Sequence, residues 1–63
     1  MLTKKDMAVI WAMRKHGGGF VQQLGLCFLF ADENNFERLQ RAFPEYWKTY
    51  SEWADLRLAE EPE

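Results

Sequence analysis

Arg14-Lys15-His16-Gly17-Gly18-Gly19 gathers two permanent cations, an imidazole and three glycines just before an apolar run that opens at Phe20. Backbone N–H groups at the start of a helix, close to cationic side chains, bind phosphate or carboxylate. Gln22 and Gln23 in the first turn of that helix would add hydrogen bonds. The segment is not a P-loop, because no Gly-Lys-Ser/Thr follows, and not a dinucleotide fingerprint, because no strand precedes it. The same residues also describe a plain Gly-rich helix–helix connection, with cations on the negative end of the preceding helix; that is the commoner use of such caps.

The second set with chemical potential is the series Tyr46, Trp47, Tyr50 and Trp53. Such rings stack on a nucleobase or anchor a protein partner, and at helical spacing they more often form a core or an oligomer interface. Arg57, four residues after Trp53, is placed to cover it by a cation–π contact. Catalysis has little to stand on. His16 is the single histidine and Cys27 the single cysteine. No Ser/His/Asp or Cys/His set can be assembled, and Glu45 and Glu52 belong to a charged helix face. No Cys/His zinc set exists, no internal disulfide can form, and no residue pattern asks for a cofactor. Cys27, inside an apolar run, is expected to behave as a small buried hydrophobe.

These residues are positioned by four helical segments. The first runs from Lys4 to about Lys15, with Thr3 as N-cap and Asp6 completing a capping box. Met7, Ile10 and Trp11 share its apolar face, with Arg14 next along it. Gly17 follows the helix end, where glycine takes the left-handed conformation cheaply. The second helix covers about Phe20 to Ala31, with Phe20, Val21, Leu24, Cys27, Phe28 and Ala31 inward. Leu26, Leu29 and Phe30 point the other way, beside Gln22 and Gln23. A helix apolar nearly all round is buried all round, so this one is expected at the centre, its second face forming an oligomer interface; the alternative is a central helix fully wrapped within a monomer. Asp32 caps a third helix with Phe36, Leu39, Ala42 and Phe43 buried and a Glu37–Arg41 pair in the favourable order. Pro44 opens a fourth helix, reaching about Ala59. The expectation is an all-α domain over residues 1–59, a bundle of three to four short helices completed by homo-oligomerisation, with residues 60–63 a frayed acidic tail.

Size and charge set the outer limits. The chain has 63 residues, 48% hydrophobic and 16% aromatic. A core of this size seldom nets more than about 3–5 kcal/mol without a disulfide, a metal or a partner chain. The first two are absent by composition, which leaves self-association or unusually good helix packing. The most apolar stretch, Phe20 to Ala31, is too short to cross a bilayer, which takes about 20 residues. No secretory signal is recognisable, and the reading is of a cytoplasmic protein. The net charge of −2 hides a split of +3 over residues 1–31 and −5 over residues 32–63. The second helix carries neither Arg nor Lys, which argues against its use as a DNA recognition helix.

Two segments carry a resemblance. His16-Gly17-Gly18-Gly19-Phe20-Val21 and Ala42-Phe43-Pro44-Glu45-Tyr46-Trp47, with Asn35-Phe36-Glu37-Arg38-Leu39 between them, resemble a group of short phage and prophage proteins. Their pattern is H-G-G-x-F-V followed by F-P-E-Y-W, and the resemblance covers roughly residues 4–53. It implies a viral origin and action in the host bacterial cytoplasm, and it transfers no catalytic residue. Small phage proteins of this kind often act by binding, blocking a host protein or sequestering a defence signal. The functional expectation is a non-catalytic homo-oligomer. It would hold an anionic small molecule, such as a nucleotide signal, between subunits, at Arg14, Lys15, His16 and Gly17–Gly19, with a ring of the fourth helix on the base. The alternative is a helical module that docks onto a host or phage protein.

Overall fold

The computed structural model describes residues 2–60. Four helices follow one another: α1 (Lys4–His16), α2 (Gly19–Phe30), α3 (Glu33–Ala42) and α4 (Pro44–Glu60). No strand occurs among the described residues. Helix starts follow from short-range chemistry. Thr3 and Asp6 form a reciprocal capping box, the Asp6 N–H donating to Thr3 Oγ1 at 3.0 Å and the Thr3 N–H to Asp6 Oδ2 at 3.1 Å. The Asn35 N–H donates to Asp32 Oδ1 at 2.8 Å, capping α3. Pro44 occupies the first position of α4, where its missing N–H has no intrahelical partner to lose. The Glu37–Arg41 pair forms on exposed α3 at 3.4 Å. Helix α4 continues through Glu60, one residue beyond the predicted end and into the segment expected to fray; the rest of that tail, residues 61–63, lies outside the described residues.

The central helix is α1, not α2. Ala8, Val9, Ile10, Ala12 and Met13 are all buried, and together they occupy roughly half the helix circumference at 100° per residue. That arc is wide enough to meet two neighbours, and α1 packs against both α2 and α4, while α3 rests mainly on α4. Of the expected α1 face Met7, Ile10 and Trp11, only Ile10 is buried; Met7 and Trp11 are exposed. Val9, Met13 and Phe28 are the largest fully buried side chains, with Val21, Leu24 and Ala54 beside them. Phe28 anchors an aromatic cluster, its ring centroid 5.1 Å from Phe36 and 4.6 Å from Trp47. Lys5 Nζ meets Asp55 Oδ1 at 2.6 Å and ties the start of α1 to α4.

Helix α2 is an outer helix, and its faces differ from expectation accordingly. Val21, Leu24, Gly25 and Phe28 are buried, but Phe20 is 57% exposed and Cys27 is also exposed. Cys27 is therefore not a core residue. Leu29 is half-buried and packs on the core. Leu26 is half-buried, whereas Phe30 is 81% exposed. Ala31 is the C-cap of α2 and only partly buried. In α3 no residue is fully buried and Ala42 is exposed; Phe36 and Leu39, with the C-cap Phe43, pack against the core.

The turn between α1 and α2 needs glycine for space rather than for dihedral freedom. Gly17 has φ −77° and ψ 157°, and no glycine has positive φ among the described residues. A Cβ at Gly17 would lie 2.5 Å from the Met13 carbonyl oxygen and 2.5 Å from Val21 Cγ1. Gly25 has a related role further along, where a Cβ would come 3.1 Å from Arg14 Cγ and 3.2 Å from Met13 Cβ. Glycine there allows α1 and α2 to approach closely over Ile10 and Met13.

Candidate functional site

The basic end of α1 and the first turns of α2 enclose an open cleft of about 450 Å³, lined by Trp11, Arg14, Lys15, Gln22, Gln23 and Leu26. The lining follows from two helix registers. Trp11, Arg14 and Lys15 stand at i, i+3 and i+4 on α1, and Gln22, Gln23 and Leu26 at i, i+1 and i+4 on α2, so each triplet shares one side of its helix. The close approach at Gly25 brings the two sides together. Arg14 has neither an ion pair nor a hydrogen bond among the described residues, so its guanidinium is available to an incoming acceptor. Gln22 is partly committed, its Nε2 donating to the Gly17 carbonyl oxygen at 3.1 Å, which fixes the side chain over the turn.

Trp11 is the aromatic wall of this cleft and the centre of a cationic group. The Arg57 guanidinium sits 3.9 Å from its ring centroid and Lys15 Nζ 5.1 Å. Arg57 thus covers Trp11, not Trp53 as the i, i+4 spacing suggested. The place beside Trp53 is taken by His16, whose ring stacks on it at 4.2 Å and 24° and meets Trp11 edge-on at 5.9 Å. His16 therefore faces α4 and does not line the cleft with Gln22 and Gln23.

The expected site residues separate into groups. Arg14, Lys15, Gln22 and Gln23 come together. Gly17, Gly18 and Gly19 do not line the cleft; the Gly17 N–H donates to the Met13 carbonyl and the Gly18 carbonyl accepts from the Gln22 N–H, as in an ordinary helix–helix connection. The four rings of α4 do not make one stacking platform. Tyr46 lies beside Phe20 and Phe43. Trp47 is packed into the aromatic core with Phe28 and Phe36, and Tyr50 is partly buried against that core. Trp53 holds His16. Trp11 and Leu26 are the lining residues that sequence reasoning missed. The signal for Trp11 was present in its i, i+3, i+4 relation to Arg14 and Lys15, but the large ring was assigned to the core.

A second open cleft, of about 620 Å³, lies where α2 passes into α3. Leu2, Ala31 and Phe36 give it an apolar floor, and Asp32, Glu33 and Glu37 an acidic rim. No group of three or more His, Cys, Asp or Glu side chains is arranged to hold a metal ion among the described residues. No helix of the described residues is long and apolar enough to cross a membrane. Comparison with protein-family models, with curated proteins and with solved structures gives no match.

Proposed function

We propose that the protein is a non-catalytic, self-associating binding protein that captures a small anionic molecule with a planar apolar portion, such as a nucleotide, in the α1–α2 cleft. The observation that carries this reading is the convergence of the unpaired Arg14 guanidinium, Lys15 and the Gln23 amide on one cleft that Trp11 and Leu26 wall. A guanidinium presents paired N–H donors that match a phosphate or carboxylate, and Lys15 adds a second positive charge. The exposed part of the Trp11 indole offers apolar area to a ring system. The lining includes no carboxylate, imidazole, thiol or hydroxyl, which favours holding a ligand over transforming it.

Melting temperature in the presence of a nucleotide panel tests the reading. A ligand at a hundred times its Kd stabilises by about 2.7 kcal/mol, which for a domain of this size is a rise of roughly 10–20 °C. Arg14→Glu together with Lys15→Glu should abolish the rise. A flat response to every nucleotide at millimolar concentration, or equal binding by the double variant, would overturn it.

A second reading has its own observation. Trp53 is 47% exposed and Leu56 65% exposed at i, i+3 on α4, an apolar pair of the kind that docks onto another protein. A partner recovered at stoichiometric amounts and released by Leu56→Asp would favour this reading over the first.

A further inference from the structure

We infer that Gly25 is the positioning residue of the α1–α2 cleft, and that by seating Arg14 it makes this one guanidinium the reader of the ligand's acid group. The ligand class is then a planar ring with a single acid group, a monophosphate or a carboxylate, rather than a polyphosphate. The inference rests on the reading of the cleft as a ligand site. It begins with a missing side chain. Gly25 is buried on α2, and a Cβ there would lie 3.1 Å from Arg14 Cγ, 3.2 Å from Met13 Cβ and 3.4 Å from the Ile10 carbonyl oxygen. The bare backbone at Gly25 is thus the floor on which the Arg14 stem lies. Glycine stands here inside a helix, where alanine is the better helix former.

Lys15, the next residue, has a different support. It reaches back one turn, its Nζ 5.1 Å from the centroid of Trp11. The two cations are therefore held by different neighbours, Arg14 by α2 and Lys15 by an indole. Among the described residues neither has an ion pair. A stem lodged on backbone has little rotamer freedom left to lose, so its guanidinium meets an oxyanion already oriented. The planar fork donates two parallel N–H bonds to one phosphate or carboxylate. The Lys15 ammonium is a point charge on a flexible stem, and it adds attraction without that orientation. The cleft thus combines one oriented acid-binding group with one ring wall, Trp11.

The seating has a consequence that needs no ligand. Alanine at position 25 competes with Arg14 Cγ for space. Cutting Arg14 back to alanine removes Cγ and relieves that part of the conflict, so the two substitutions are coupled in stability.

Titration calorimetry on the full chain with AMP, ATP, pyrophosphate and indole-3-acetate gives the binding test, and urea melts give the test without ligand. The wild type should bind AMP or indole-3-acetate, which separates a phosphate source from a carboxylate. ATP should bind no more than about threefold tighter than AMP, because its further phosphates meet only screened charge, and pyrophosphate, which has no ring, should bind more weakly. Arg14→Lys keeps the charge and loses the fork, and should weaken binding about ten- to hundredfold. Gly25→Ala should do the same, while Lys15→Met should change binding less than about threefold. In urea, Gly25→Ala should cost less stability in the Arg14→Ala background than in the wild type. Should Gly25→Ala not fold, Arg14→Lys and the ratio of ATP to AMP affinity still decide. Undiminished binding by Arg14→Lys, ATP binding more than about tenfold tighter than AMP, or equal costs of Gly25→Ala in the two backgrounds overturns the inference and leaves the cleft as a ligand site. A wild type that binds none of the four probes removes the reading of the cleft, and with it the ligand class inferred from Arg14.

Discussion

Replacing Gly17 by alanine separates two physical roles for a glycine that follows a helix. Were the residue left-handed, alanine would suffer mainly from its backbone conformation and asparagine would be tolerated. Here the backbone is extended, at φ −77° and ψ 157°, which any residue adopts. The conflict is with space, since a Cβ would sit 2.5 Å from both the Met13 carbonyl oxygen and Val21 Cγ1 and 2.6 Å from Val21 Cβ. Overpacking costs about 1–3 kcal/mol. A backbone oxygen and a buried β-branched side chain cannot turn aside, which places this case near the upper end. The lower entropy of the unfolded alanine chain returns about 0.4–1 kcal/mol, leaving a net loss of about 2 kcal/mol. At 4–8 °C per kcal/mol for a small domain, the melting temperature should fall by roughly 8–16 °C.

Circular dichroism melts of three variants decide the matter. Gly17→Ala should show that fall, and Gly17→Asn should fall further, because the larger side chain meets the same atoms. Gly19→Ala is the control. Gly19 opens α2 with nothing within 4 Å of a Cβ, and alanine favours the helix by up to about 1 kcal/mol, so its melting temperature should hold or rise. Gly17→Asn melting at or above Gly17→Ala would refute the packing account and restore the conformational one.

Phe28→Ala should cost about 3–5 kcal/mol, comparable to the whole stability of such a domain, and a urea melt should show little or no folded baseline, since Phe28 is fully buried between Phe36 and Trp47. Thr3→Ala removes the capping box and should lower stability by about 1 kcal/mol in the same assay. At the start of α3, Asp32→Asn should melt close to wild type while Asp32→Ala loses about 1 kcal/mol, because asparagine also accepts the Asn35 N–H. Asp55→Asn breaks the Lys5 ion pair, yet both side chains are substantially exposed, so the change in urea midpoint should correspond to less than about 1 kcal/mol and shrink with added salt.

Much of the local structure was legible because its causes lie within four residues. Thr3 and Asp6, Asp32 and Asn35, Glu37 and Arg41, and Pro44 after Phe43 each acted as expected. Assigning faces to neighbours was harder. In α1 the apolar set Ala8, Val9, Ile10, Ala12 and Met13 spreads over half the helix, so weighting large residues pointed to Met7 and Trp11 when the small ones carried the packing. In α2 nearly every residue is apolar, so periodicity had little contrast to offer, and Phe20 and Cys27 were placed on the wrong side. At the candidate site, Arg14, Lys15, Gln22 and Gln23 were legible by type. The separation of His16 and the α4 rings from them was not, because it depends on Trp53 holding the imidazole.

The sequence by itself determined an all-helical chain, the beginnings of its helices, its want of a disulfide or zinc staple, and a basic end and an acidic end flanking an uncharged α2. Only the tertiary structure decided that α1 is the helix in the middle. Its buried alanines and the bare Gly25 opposite let neighbouring backbones come close on two sides, and that gain depends on distances no linear pattern encodes. With α1 inside, α2 moves to the surface, Phe30 is left exposed, and Trp11 becomes the wall of a cationic cleft.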